Sequence, residues 1–152
     1  IMGTVKLDTI TPLSTTTDIT IASNKFVGNS SGNMSVPGEG GTNQTNLQQG
    51  LTTVWVTFDG TASGATERDS FNVSSTDDDD TGEYGVNFTT NMGNANFPSL
   101  AQRAVLTGGQ TTGTANCNRM TTGSIDKIQA FDDSGSLGDR DNITCHVTGD
   151  LA

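Results

Sequence analysis

Apolar and polar residues alternate over several short segments of this chain. The clearest segments are residues 54–58, 84–88 and 143–147, each with apolar side chains at every second position. Alternation of this kind is typical of a β-strand that buries one face and exposes the other. Together with the shorter segment 70–73, these runs predict a core made of Val54, Val56, Phe58, Phe71, Val73, Tyr84, Val86, Phe88, Ile143 and Val147.

Two further segments complete the expected set of strands. Residues 125–131 form one of them. Residues 98–106 fit either a short helix that begins at Pro98 or a strand, and the surrounding strands favour the strand. Six short strands at roughly 10–20-residue spacing, with turn residues between them, predict an all-β fold, a small antiparallel β-sandwich.

The composition changes near residue 50. Residues 28–50 are a tract of Gly, Ser, Asn and Gln whose apolar residues are few, chiefly Met34, Val36 and Leu47. A segment of this composition buries too little apolar surface to form a core by itself. We therefore expect residues 1–50 to be an extended N-terminal arm or stalk for attachment and trimerisation, and residues 51–152 to be the β-sandwich head domain.

The low apolar content predicts association with other copies. Hydrophobic residues make up only 31% of the chain, and small domains with little apolar surface are usually stabilised by disulfides, metals or oligomerisation. Cys117 and Cys145 allow one disulfide at most, and in a protein assembled in a cytoplasm they are expected to remain free thiols. Association with other copies is therefore the favoured remedy.

The charge of the chain excludes one class of partner. The formal net charge is -10, which repels nucleic-acid phosphates, and the sequence contains no basic stripe to reverse this locally. No apolar run approaches the roughly 20 residues that span a bilayer. The N-terminus also lacks the apolar region of a secretory signal. We expect no nucleic-acid binding and no membrane insertion.

The sequence contains no recognisable catalytic motif. His146 is the single histidine, and alternation places it on the opposite side of its strand from Cys145. A nucleophile and its base must lie within hydrogen-bond reach of each other. We therefore expect a protein that is not an enzyme, with no catalytic residues and no cofactor.

Four consecutive aspartates, residues 77–80, are the most conspicuous local feature. One interpretation is a calcium loop in which Asp77, Asp79 and Thr81 are ligands, because such loops use oxygens at alternate positions before a glycine. The twelfth position, which normally supplies a bidentate glutamate, is Phe88. The favoured interpretation is a solvated acidic hairpin tip that discourages strand pairing.

Trp55 raises the alternative of a carbohydrate-binding module, since an exposed indole can stack on a sugar. The chain has one Trp and one Tyr, which is a poor supply of aromatic platforms. Packing within an alternating strand is the favoured role of Trp55.

Three segments resemble a motif that recurs in bacteriophage tail-fibre and appendage proteins. They are Trp-Val-Thr-Phe-Asp-Gly-Thr (residues 55–61), Glu-Arg-Asp-Ser-Phe-Asn-Val-Ser-Ser (67–75) and Thr-Gly-Glu-Tyr-Gly-Val-Asn-Phe-Thr-Thr-Asn-Met (81–92). Lys-Leu-Asp-Thr-Ile (residues 6–10) resembles the opening of such proteins more weakly. The chain departs from the family at residues 77–80, where the family usually has Asp-Asn-Gly, and residues 98–152 are only generically similar.

The resemblance implies a homotrimeric virion component with an N-terminal attachment segment, and it carries no catalytic residues. The leading hypothesis is a short fibre or appendage on the virion exterior, assembled in the host cytoplasm. In it residues 1–50 contact other tail or capsid proteins, and loops of the head recognise a host surface glycan or receptor. The alternative is a capsid decoration or cement protein, or a head fibre, whose arm stabilises the shell by strand addition.

Overall fold

The computed structural model describes residues 35–37, 44–104 and 114–152. It confirms the small antiparallel β-sandwich. Two four-stranded sheets pack together, the first in the order β4-β3-β10-β7 and the second in the order β5-β6-β9-β8. The strands of the sandwich are β3 (Thr52–Asp59), β4 (Thr66–Phe71), β5 (Val73–Asp80), β6 (Glu83–Phe88), β7 (Ser99–Ala104), β8 (Ala115–Met120), β9 (Ser124–Ala130) and β10 (Asn142–Thr148).

The described part of the expected arm is a small unit before the sandwich. Strands β1 (Ser35–Pro37) and β2 (Gln44–Asn46) pair antiparallel, and one helical turn, α1 (Leu47–Gly50), follows. Asn46 caps this turn, because its side-chain oxygen accepts a hydrogen bond of 2.9 Å from the backbone N–H of Gln48. The remainder of the arm, residues 1–34 and 38–43, lies outside the described residues.

The core fills the space between the two sheets. Val54, Val56 and Phe58 of β3 lie inside it, as the alternation predicts, and each is at most 1% exposed. The second sheet contributes the inward side chains of β6 and β9. The buried hydrophobic residues of the described chain are Val54, Val56, Phe58, Ala65, Tyr84, Val86, Phe88, Met92, Phe97, Ala101, Ile125, Ile128, Ala130, Ile143, Cys145 and Val147.

An aromatic pair joins the two sheets at one end of this core. The rings of Phe58 and Tyr84 meet edge to face with centroids 5.2 Å apart. The buried Tyr84 hydroxyl donates a 3.1 Å hydrogen bond to the carbonyl of Gly60. A Cβ at residue 60 would lie 2.5 Å from the tyrosine ring, so glycine is required there.

A sharp corner at Asn72 corrects one part of the sequence prediction. Asn72 has φ +60°, in the left-handed region, and it separates β4 of the first sheet from β5 of the second. Phe71 and Val73 therefore do not share a strand. Val73 packs at the edge of the core, whereas Phe71 is 52% exposed on the outside of the first sheet. Phe71 was wrongly predicted to be buried. The sequence alternates across residue 72, but the side chains on the two sides of the corner belong to different sheets and need not point to the same side.

Within the described residues the sandwich has eight strands instead of the six expected. The four aspartates lie on the second half of β5, and the hairpin turn itself is made by Thr81 and Gly82. Strand β8 was not predicted, since three of the six residues in its sequence, Ala-Asn-Cys-Asn-Arg-Met, are polar and none is a large branched or aromatic residue. The ambiguous segment after Pro98 forms the strand β7.

Candidate functional site

A row of four side chains crosses the outer face of the first sheet. Trp55 of β3 pairs with Phe71 of β4 on one side and with His146 of β10 on the other. His146 in turn pairs with Leu100 of β7. Because residues directly opposite in neighbouring strands share a face, these side chains form one continuous line over all four strands. We call it the apolar row.

The apolar row is open to solvent in the single chain. Phe71 is 52% exposed and Leu100 is 66% exposed, while Trp55 is half-buried and His146 is exposed. At the β7 end a shallow hollow of about 350 Å³ is lined by Pro98, Ser99, Leu100, His146 and Thr148. A contiguous exposed apolar patch of this kind marks an interaction surface more often than a scattered residue does.

The neighbouring row on the same face is almost uncharged. It consists of Asp69, Thr57, Thr144 and Gln102 on β4, β3, β10 and β7. Across both rows Asp69 is the single carboxylate, although the chain as a whole carries a formal net charge of -10. These two rows therefore carry little charge, and charged side chains of the same sheet, such as the ion pair of Asp59 and Arg68, lie outside them.

The outer face of the second sheet differs in kind. It carries a groove of about 400 Å³ lined by Asp77, Asp79, Gly85, Asn87, Arg119, Ile125, Asp126 and Lys127. A β-bulge builds its floor, because Tyr84 pairs with Ile128 and Val86 pairs with Ile125. Two residues of β9, Asp126 and Lys127, thus oppose one residue of β6, and both of their side chains line the groove.

Several polar side chains in and beside this groove contact one another. Lys127 pairs with Glu83, and the Gln129 amide donates a 2.7 Å hydrogen bond to the same carboxylate. These two contacts, the lysine first, lower the pKa of Glu83. The Asn87 amide donates to Asp77 at 2.5 Å. The arrangement is typical of a solvated polar face.

The aspartates proposed as calcium ligands do not form a loop. Asp77 and Asp79 follow the extended course of β5, and Thr81 lies in the turn beyond it. Alternate residues of a strand lie about 6–7 Å apart along the chain, so their oxygens do not converge as those of a calcium loop do. Within residues 44–104 and 114–152, no group of three or more His, Cys, Asp or Glu side chains could hold a metal ion.

The structure brings Cys145 close to Cys117. Cys145 of β10 points into the core, away from His146, and its Sγ lies 3.9 Å from the Sγ of Cys117 on β8. The two thiols therefore face each other between the sheets. Sequence analysis missed this contact, because the weak apolar pattern of β8 predicted no strand on which to place Cys117.

No helix in the described segments is long and apolar enough to span a membrane.

No protein-family model matches this chain, and neither a curated protein nor a solved structure matches it.

Proposed function

We propose that this chain is a structural protein of a bacteriophage particle, in which three copies associate through the outer face of the first sheet. Residues 1–50 attach the trimer to other virion proteins, and the sandwich forms the head of a short appendage. The observation that supports the proposal best is the contrast between the two outer faces. The first face combines the apolar row with a neighbouring row that has one carboxylate, whereas the groove on the second face is lined mostly by charged side chains.

Charge explains why copies would meet through this face. A chain with a formal net charge of -10 repels its own copies wherever carboxylates approach each other. The centres of protein interfaces are depleted of charged residues and enriched in aromatic ones. The apolar row, with Trp55 and Phe71, and its neighbouring row meet both conditions, and three copies around an axis would bury them at the centre.

A second copy of the chain is favoured over an unrelated partner. Most oligomers of soluble proteins are symmetric assemblies of one chain. The resemblance of residues 55–61, 67–75 and 81–92 to phage appendage proteins implies a homotrimer as well. The symmetry of most oligomers and this resemblance both favour a second copy of the chain as the partner of the apolar row.

Labelling of intact phage particles with antibodies against the head tests the proposed place in the virion. Labels at the tail are expected for a short fibre. Labels confined to the shell would overturn the fibre and favour the alternative, a decoration or cement protein that stabilises the capsid. Particles that bind no antibody, although denatured particles react with it, would contradict an exterior position.

A glycan array, followed by fluorescence titration of the protein with any glycan that binds, tests the competing sugar-binding role. In the trimer the apolar row is buried, so a glycan that quenches the fluorescence of Trp55, the single tryptophan, would contradict the proposed interface. Binding that leaves Trp55 fluorescence unchanged would instead support recognition of a host surface by another part of the head.

A further inference from the structure

The two cysteines lie where one covalent bond would join the two sheets. Cys145 belongs to β10 of the first sheet and Cys117 to β8 of the second. Their sulfur atoms are 3.9 Å apart, so a disulfide requires an approach of about 2 Å. Both side chains pack in or against the core between the sheets. The contact is therefore an inter-sheet pair and not a chance meeting at the surface.

We propose that Cys117 and Cys145 are a modification site, at which a small-molecule disulfide oxidises the two thiols to an inter-sheet disulfide. The bond would form in an oxidising medium, and the thiols would stay reduced in a reducing one. This inference is independent of the proposed function, because it depends only on the geometry of one chain.

The two thiols have different roles in the exchange. Cys117 is partly exposed on β8, an edge strand of the second sheet, whereas Cys145 is 1% exposed. Hydrogen bonds from the Cys145 thiol and, less strongly, the Ser99 hydroxyl lower the pKa of Cys117, although its burial opposes this. The hydrogen bond to Cys117 and burial together raise the pKa of Cys145. Cys117 is thus the thiol that reacts first.

The reaction balances as two exchange steps. The Cys117 thiolate attacks one sulfur of the small-molecule disulfide, forms a mixed disulfide and releases one thiolate, which takes a proton from solvent. Cys145 then loses its proton to solvent and attacks the Cys117 sulfur, releasing the second thiolate. Overall the protein loses two electrons and two protons, and the small disulfide is reduced to two thiols.

Oxidised glutathione is a suitable probe for the complete, natively assembled chain. We expect each chain to lose two hydrogen atoms in mass, to lose both titratable thiols and to remain a monomer band on a non-reducing denaturing gel. The bond closes a loop between residues 28 apart in sequence. A loop of this size should raise the Tm by about 5–15 °C, and a reducing agent should reverse the rise.

Single substitutions separate this result from other oxidation products. Cys117→Ser should leave Cys145 unreacted, whereas Cys145→Ala should stop at one glutathione on Cys117, and neither variant should gain in Tm. A wild-type chain that also stops at one glutathione would overturn the proposal, as would a disulfide-linked dimer. Both variants can be compared with the reduced wild type in the same melting experiment, so a folding defect is recognised before oxidation.

Discussion

Trp55 and Phe71 lie directly opposite each other on β3 and β4, on the outside of a sheet and not in the core. Their strands belong to the first sheet, whose inner face supplies much of the buried core. The head has sixteen buried hydrophobic residues among those described. The low apolar content of the whole chain therefore does not leave the sandwich without a core, and the case for association depends on the outer face.

Substitutions in the apolar row should dissociate the trimer and leave the head folded. Phe71→Ser and Leu100→Ser each remove a large exposed apolar side chain. We expect each to weaken association at least about tenfold, the effect of removing a side chain on which an interface depends. Sedimentation velocity over a dilution series measures the change. Circular dichroism should show the same β-sheet content as the wild type.

Asp79→Ser is the matched control for these variants. Asp79 is exposed beside the groove of the second sheet, so this variant should associate as the wild type does. If Asp79→Ser dissociates the trimer while Phe71→Ser and Leu100→Ser do not, the interface lies on the second sheet and the account of the apolar row is wrong.

The corner at Asn72 should tolerate glycine better than alanine. Asn72 holds φ +60° and fixes the neighbouring segment, because its side-chain oxygen accepts from the N–H of Thr90 at 2.7 Å and its amide donates to the Thr90 carbonyl at 3.1 Å. Asn72→Gly loses these hydrogen bonds, which should lower the free energy of unfolding by about 1 kcal/mol. Asn72→Ala loses the same bonds and also holds alanine in the left-handed region, which should lower the free energy of unfolding by about 1–2 kcal/mol more. Urea unfolding measures both variants, and equal stabilities would contradict the account of the corner.

Gly60→Ala should destabilise the head by about 1–3 kcal/mol, the usual cost of overpacking a filled site. The added Cβ would lie 2.5 Å from the Tyr84 ring. Gly50→Ala is the control, since a Cβ added there would have nothing within 4 Å, and it should leave stability unchanged or raise it by up to about 1 kcal/mol. Thermal melts of both variants check the prediction, which fails if the two behave alike.

Ionisation of Tyr84 should make the head less stable at alkaline pH. Burial, the largest cause, raises the pKa of Tyr84 from 10.0 to about 12. The unfolded chain therefore releases the phenolic proton first as the pH rises. The Tyr84 contribution is complete below pH 10 and is lost between pH 10 and pH 12, a loss of about 2–3 kcal/mol.

Tyr84 is the single tyrosine of the chain, so its ionisation is directly visible in the near-ultraviolet absorbance of tyrosinate. The folded protein should titrate near pH 12 and the urea-unfolded protein near pH 10. Tyr84→Phe should lack the additional alkaline loss of stability. A native midpoint near pH 10 would contradict the burial of the hydroxyl.

The strongly alternating strands could be predicted from sequence, because their periodicity reports directly which side chains are buried. Strands β3, β6 and β10 are of this type, and their inward residues lie in the core. Strand β8 has no such signal. The corner at Asn72 could not be predicted either, since the sequence continues to alternate where the chain changes sheets.

The apolar row could not be predicted for a different reason. Its four residues lie on four strands that are separated in sequence, and they meet only through the order β4-β3-β10-β7 and its registers. A shift of one residue in any pair would turn one of these side chains to the other face. The contact between Cys117 and Cys145 depends in the same way on how two sheets stack.

The mass of the wild-type protein in solution tests the central claim most directly. Sedimentation equilibrium should give three times the chain mass of 15.7 kDa, and the Leu100→Ser protein should shift towards one chain mass at the same concentration. A wild-type protein that remains at one chain mass over the whole accessible concentration range would contradict the trimer and the role of the apolar row.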